Sequence, residues 1–116
     1  MSGNSCLFCR IAAGEIPSQK VYEDELVFAF RDIDPQAPVH ILIIPKKHIA
    51  DIGALTEEDA AVSARLFEVA GLLARQEGIA DSGYRVVSNV GADGGQSVPH
   101  LHLHLLGGRV MTWPAG

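Results

Sequence analysis

The spacing of apolar residues changes along the chain, and each change marks an element. Residues 6–13 fit a short helix, stopped by Gly14. Residues 20–23 and 26–30 predict a hairpin across Asp24-Glu25, its second arm rich in Val and Phe as strands tend to be. Residues 34–38 hold two prolines and form a turn or loop. Residues 39–44 are apolar on both faces except at His40, the mark of a central strand, and Pro45 ends it. Thr56 is placed to cap a helix with Glu57, Glu58 and Asp59 in its first turn, where negative charge is favoured. That helix runs to about Gln76 and stops near Gly78. Leu55, Val62, Leu66, Val69 and Leu73 recur along it at helical spacing, and Phe67, Ala70 and Leu72 widen the stripe. The extra width suits either more core or a partner chain. Residues 84–90 read as a further strand, 92–98 as a glycine-rich loop, and 100–106 as a last strand of strict alternation.

A β-rich order with one long helix between strand pairs predicts an α+β fold on an antiparallel sheet. With 116 residues and 47% apolar content, the chain is expected to form one domain over residues 1–116. A net charge of −5 argues against a nucleic-acid polymer as partner, since such binding needs clustered Lys and Arg, but leaves room for one nucleotide. The longest apolar run, residues 41–44, is strand-sized, and the first residues show no basic-then-apolar signal pattern. These features predict a cytoplasmic protein with no membrane partner.

The chemistry concentrates at His100-Leu101-His102-Leu103-His104, which holds three of the five histidines. On a strand these imidazoles share one face and the leucines the other. A strand has no structural need for such a row, and imidazole is a nucleophile, proton carrier and metal ligand near neutral pH. One metal ion held by all three is hard to arrange. Cα atoms four residues apart on a strand lie about 13–14 Å apart at about 3.4 Å per residue, and zinc needs nitrogens at about 2.0–2.1 Å. Separate roles along a substrate fit better. The preceding loop, with Gly91, Gly94, Gly95, Gln96 and Ser97, could cradle an anion through backbone N–H groups and the Ser97 hydroxyl. His102 would then attack phosphorus while His104, Ser97 and the loop stabilise charge on the phosphate oxygens.

Cys6 and Cys9 are too close for a useful structural disulfide. Cys-x-x-Cys reads as half a zinc site or a redox pair, and the redox reading wants a βαβ setting that the pattern lacks. Zinc would need two more ligands, drawn from His48 and one of His40 and His100.

The block Gly95-Gln96-Ser97-Val98-Pro99-His100-Leu101-His102-Leu103-His104 resembles the signature of the histidine triad (HIT) superfamily. Residues 32–49 look like the upstream block of its Hint branch, and residues 107–114 like that branch's C-terminal ending. The resemblance covers the chain from Cys6 to Gly116. It implies a five-stranded antiparallel sheet with one long and one short helix, paired with a second copy into a continuous ten-stranded sheet. It also implies hydrolysis of purine nucleoside phosphoramidates, such as adenosine 5′-monophosphoramidate or aminoacyl-adenylates. By resemblance His102 is the nucleophile that becomes nucleotidylated, His104 contacts phosphate, His40 extends the histidine network behind the triad of His100, His102 and His104, and Ser97 assists the leaving group. Asn89, Gly95 and Gln96 lie by the phosphate and Asp32 by the ribose hydroxyls. Phe8, Ile11 and Ile33 lie by the base, with Val98 at the same pocket. A structural zinc would be held by Cys6, Cys9, His48 and His100, with no cofactor in catalysis. The Hint tail is expected to reach the partner's pocket. Pro99 departs from the aromatic residue usual there, which bears on pocket shape. Rival readings are a dinucleoside polyphosphate hydrolase or nucleotidyltransferase of the same superfamily, or a purine nucleotide sensor or scaffold module.

Overall fold

The computed structural model describes residues 5–116. A short helix α1 (Leu7–Ala12) is followed by β1 (Lys20–Glu23), β2 (Val27–Arg31) and β3 (Val39–Pro45). Two single-turn 3-10 helices lead into the long helix α2 (Ala60–Gln76), then β4 (Tyr84–Val87) and β5 (Leu103–Gly107). The five strands form one antiparallel sheet in the order β1-β2-β3-β5-β4, so the strand that is apolar on both faces is the central one. The architecture is the α+β sheet with one long and one short helix that the pattern predicts.

Period-2 alternation divides the sheet into two unlike faces. Val27, Ala29, Ile41, Ile43, Leu103 and Leu105 turn to one side and pack with Val62, Leu66, Val69, Leu73 and Ala74 of α2. Burying each such Val, Leu or Ile contributes about 1.5–3 kcal/mol. Phe28, Phe30, Leu42 and Ile44 turn to the other side and pack with Cys6, Phe8 and Ile11 of the α1 region. His104, opposite Leu42 in register, points to this second side.

Element ends differ from the sequence reading for identifiable reasons. Thr56 and Asp59 form a reciprocal capping box, but the first turn is 3-10 and the α-helix starts at Ala60. Gly78, at φ +76°, ends it in the left-handed region that glycine tolerates. The second hairpin arm is shifted one residue, because Asp24 caps the turn by accepting N–H bonds from Leu26 and Val27. Phe67 does not widen the core stripe; its side of α2 is exposed. β4 stops at Val87 rather than residue 90.

The largest correction concerns the histidine strand. Only His104 lies within β5; His100 and His102 precede it. Pro99 has no N–H to give a ladder. The N–H of His100 closes a turn onto the Val98 carbonyl at 2.8 Å, and that of Leu101 donates to the Ile49 carbonyl at 2.6 Å. The carbonyl of Pro45 accepts from the His100 ring at 2.9 Å. The segment therefore leaves β3 at the Ile43–Leu103 pair. Leu101 nevertheless stays in the α2-side core with Leu103 and Leu105, so leucine and histidine still part to opposite sides.

Candidate active site and metal centre

The three histidines separate into two neighbourhoods. His102 and His104 remain together, their ring centroids 4.9 Å apart, with His40 of β3 5.2 Å from His104. His100, fully buried, turns its ring towards Cys6, Cys9 and His48 instead.

Hydrogen-bond partners fix the proton on each ring. A carbonyl only accepts, so Nδ1 of His102, 2.7 Å from the His100 carbonyl, carries a proton. The neutral His102 ring then has its lone pair on Nε2. Nδ1 of His40 accepts from the Gln36 N–H at 3.0 Å, which puts the His40 proton on Nε2. That proton is directed at Nδ1 of His104, 2.9 Å away, with the Asp32 carboxylate at 3.4 Å. His104 therefore accepts at Nδ1 and keeps a donor at Nε2. Burial, with His102 and His40 close by, holds His104 down to about 4. Burial also lowers His40, against the opposing pull of Asp32 and Asp34. Both rings are neutral at pH 7. The site thus sets a bare nitrogen on His102 beside an N–H donor on His104. The sequence pattern assigns no role at the histidine site to Gln36 or Ser88. Ser88 Oγ donates to the His102 carbonyl at 2.9 Å and fixes that residue's backbone. An Asp-Pro-Gln turn and a strand-end serine carry no chemical signal of their own.

The glycine-rich loop is arranged differently from a cradle of free amides. The N–H of Gly91 donates to Gln96 Oε1, that of Gly95 to the Ala92 carbonyl, and that of Gln96 to the Gly91 carbonyl. The Gln96 amide group donates to the carbonyls of Ala50 and Val98. Asn89 Nδ2 donates to the Gly94 carbonyl at 2.6 Å. These groups brace the loop. Gly94 is required there, since a Cβ would fall 2.2 Å from the Val90 carbonyl oxygen. Ser97, exposed at the end of the loop, stays clear of those bonds.

Of the residues expected around a base and ribose, Phe8 and Ile11 are buried in the second apolar cluster, against which Val98 packs. Asp32 Oδ1 accepts the Asp34 N–H. Ile33 is fully exposed and is not part of that cluster. A cleft of about 590 Å³ borders Asp32 and Ile33, a size that accepts a small ligand.

Cys6, Cys9, His48 and His100 bring four ligand atoms within 4.8 Å of one another. Cys6 Sγ lies 3.2 Å from His100 Nδ1, and Cys9 Sγ lies 3.3 Å from His48 Nδ1. Ligand atoms around tetrahedral zinc are spaced by about 3.3–3.8 Å, given bonds of about 2.0–2.3 Å. The donor chemistry also fits. Because His100 Nε2 donates to Pro45, its Nδ1 is bare and faces the sulfurs. Burial and the adjacent Cys6 push the Cys9 thiol up to about 11, so it is protonated without a cation and binding one would release that proton. These four residues would hold a closed S2N2 zinc.

The chain matches the HIT domain over residues 13–111. It belongs to the HIT domain family. Among HIT relatives, a 14 kDa zinc-binding protein of Zea mays is 54% identical over 112 residues, covering 95% of this chain and 87% of that protein. A solved HIT family hydrolase from Legionella pneumophila Philadelphia 1 superposes with a TM-score of 0.95 at 57% identity, covering 97% of this chain and all of that one. A histidine triad nucleotide-binding protein from Candida albicans superposes with a TM-score of 0.80 at 34% identity, covering 97% of this chain and 85% of that one. Among the described residues, no helix is long and apolar enough to cross a membrane.

Proposed function

We propose that this HIT protein is a hydrolase of the Hint type, cleaving the P–N bond of purine nucleoside phosphoramidates through a nucleotidyl-histidine on His102. The observation that carries the reading is the His102 Nδ1 to His100 carbonyl bond, which leaves Nε2 unprotonated without a separate base. In the first step the Nε2 lone pair attacks phosphorus and the P–N bond breaks. The leaving nitrogen takes a proton from solvent, with Ser97 on that side, and departs as an amine. The adduct is an imidazolium, a good leaving group. In the second step water attacks phosphorus, the P–Nε2 bond breaks, and a nucleoside monophosphate leaves with His102 neutral again. His104 Nε2–H stabilises charge on a phosphate oxygen in both steps. Asp32 would accept from the ribose hydroxyls. Phe8, Ile11, Ile33 and Val98 would border the base, and Asn89, Gly95 and Gln96 would shape the phosphate loop.

The names of the Legionella hydrolase and the Candida nucleotide-binding protein support hydrolysis and a nucleotide partner, and that of the maize protein supports zinc. The exposed Phe67 on α2, Tyr84 on the edge strand β4, and Val110 and Trp113 in the tail support a homodimer joined through that edge and helix. We place the protein in the cytoplasm, where paired thiols stay reduced.

The test is intact mass after mixing with an adenosine phosphoramidate. The expected result is an adenylyl adduct on His102 and steady release of amine. Binding without an adduct or turnover would favour a nucleotide sensor, and faster cleavage of a diadenosine polyphosphate would favour that rival hydrolase.

A further inference from the structure

We infer that the Cys6, Cys9, His48 and His100 group, once it holds zinc, fixes the tautomer and orientation of the nucleophile, with His100 and Phe8 as positioning residues. The inference rests on the proposed role of His102. Residue 100 is fastened at three atoms at once. Its Nδ1 faces Cys6 Sγ at 3.2 Å and Cys9 Sγ at 3.5 Å. Its Nε2 donates to the Pro45 carbonyl at 2.9 Å. Its main-chain carbonyl accepts the Nδ1 proton of His102 at 2.7 Å. The atom that selects the His102 tautomer thus belongs to a residue whose side chain is a ligand.

A second contact runs the same way. Phe8 lies between the two cysteines, and its ring meets His102 edge-on, centroids 5.0 Å apart at 89°. The same ring lies 5.9 Å from His100 and 5.5 Å from Phe30. One support of His102 is a polar acceptor and the other an apolar wall, and both are held by the group of four. The third, the Ser88 bond, holds only the main chain of His102. Asp32 and Ile33, on the ribose and base side, make no hydrogen bond to the group, whereas Phe8 borders the base as well as His102. Loss of the cation should therefore loosen the reacting ring more than it weakens nucleotide binding.

The experiment compares zinc-loaded protein, chelated protein, His48→Ala and His48→Cys. His48 is exposed at the outer side of the group, so its replacement spares the core. His48→Cys restores a fourth ligand. Long-range proton–nitrogen NMR reads the His102 tautomer directly. AMP titration reads affinity, and single-turnover mixing with an adenosine phosphoramidate reads adduct formation. With zinc bound, and in zinc-loaded His48→Cys, His102 should show one tautomer with the proton on Nδ1. Chelated protein and His48→Ala should show a mixture of tautomers. In those two states adduct formation should slow by about ten- to a hundred-fold, the range for loss of groups that orient a site. AMP affinity should fall by no more than a few-fold, much less than adduct formation. A single Nδ1–H tautomer in folded, zinc-free protein overturns the inference, as does an equal loss of AMP affinity. A tautomer change on zinc removal in protein that forms no adduct would leave the positioning intact and remove the proposed reaction instead.

Discussion

The two faces of the sheet are built from the same strands by the same alternation, yet they do different work. On the α2 side, Ile41, Ile43, Leu103 and Leu105 belong to one large apolar cluster. They stabilise by removing area from water, and their value lies in volume. On the α1 side, His40, His102 and His104 share the surface with Phe8, Phe30 and Leu42. Among the described residues, every side-chain nitrogen or oxygen fully hidden from solvent has a hydrogen-bond partner, those of the buried imidazoles included. Their bonds set proton positions as well as stability. A sheet one layer thick therefore separates the larger apolar core from the face proposed to react, and each face can be damaged alone.

The largest expected effect is on the reactive face. His102→Ala should lower adduct formation by at least about a thousand-fold, or about 4 kcal/mol of barrier, since it removes the attacking atom. AMP affinity should remain within a few-fold and the melting temperature nearly unchanged. An adduct on another residue would end the assignment.

The reciprocal break is Leu105→Ala. Leu105 is fully buried against α2, so urea unfolding should show a loss of about 2–5 kcal/mol. Turnover of the folded fraction should be close to normal. A loss of turnover without loss of stability would show that the two faces are not separable.

Acid should act on the reactive face more gently. His104 is lowered from 6.5 to about 4 in the folded protein, and His40 is lowered too. The unfolded chain then binds more protons than the folded one in this window, so stability falls as pH drops from about 6.5 to about 4. His104→Gln should flatten that slope in urea titrations at stepped pH. An unchanged slope would place the acid sensitivity elsewhere.

The smallest effect sits where the tail meets the histidines. Arg109 Nε donates to the Gln36 carbonyl at 3.0 Å, and the Gln36 N–H sets the His40 tautomer. Ending the chain after Arg109 should alter the ratio of kcat/KM for a small and a bulky leaving amine, because Met111, Trp113 and Pro114 would border that side. Ending it after Gly108 should lower both values by a further two- to ten-fold, roughly the worth of one hydrogen bond. Identical behaviour of the two truncations would remove Arg109 from the chain of contacts.

By itself the sequence determined the sheet, its central strand, the long helix and the division of leucine from histidine, because these follow from local periodicity and burial. It also pointed to the residues the structure gathers into a histidine cluster and a Cys/His group, since few structural needs call for Cys-x-x-Cys or alternate histidines. Strand ends, proton positions and the fate of His100 needed the tertiary structure. Pro99 and the carbonyls of Ile49 and Pro45 compete for the start of β5, and that contest is settled by groups about fifty residues apart. Loop amides that looked free for an anion close on Gln96 and Ala92. The tautomer of His102 depends on one carbonyl, and that of His40 on one amide of an unremarkable glutamine. Periodicity records which side chains seek water or shelter. It carries no information on which backbone atom a ring nitrogen will meet, and here those meetings decide where the lone pairs lie.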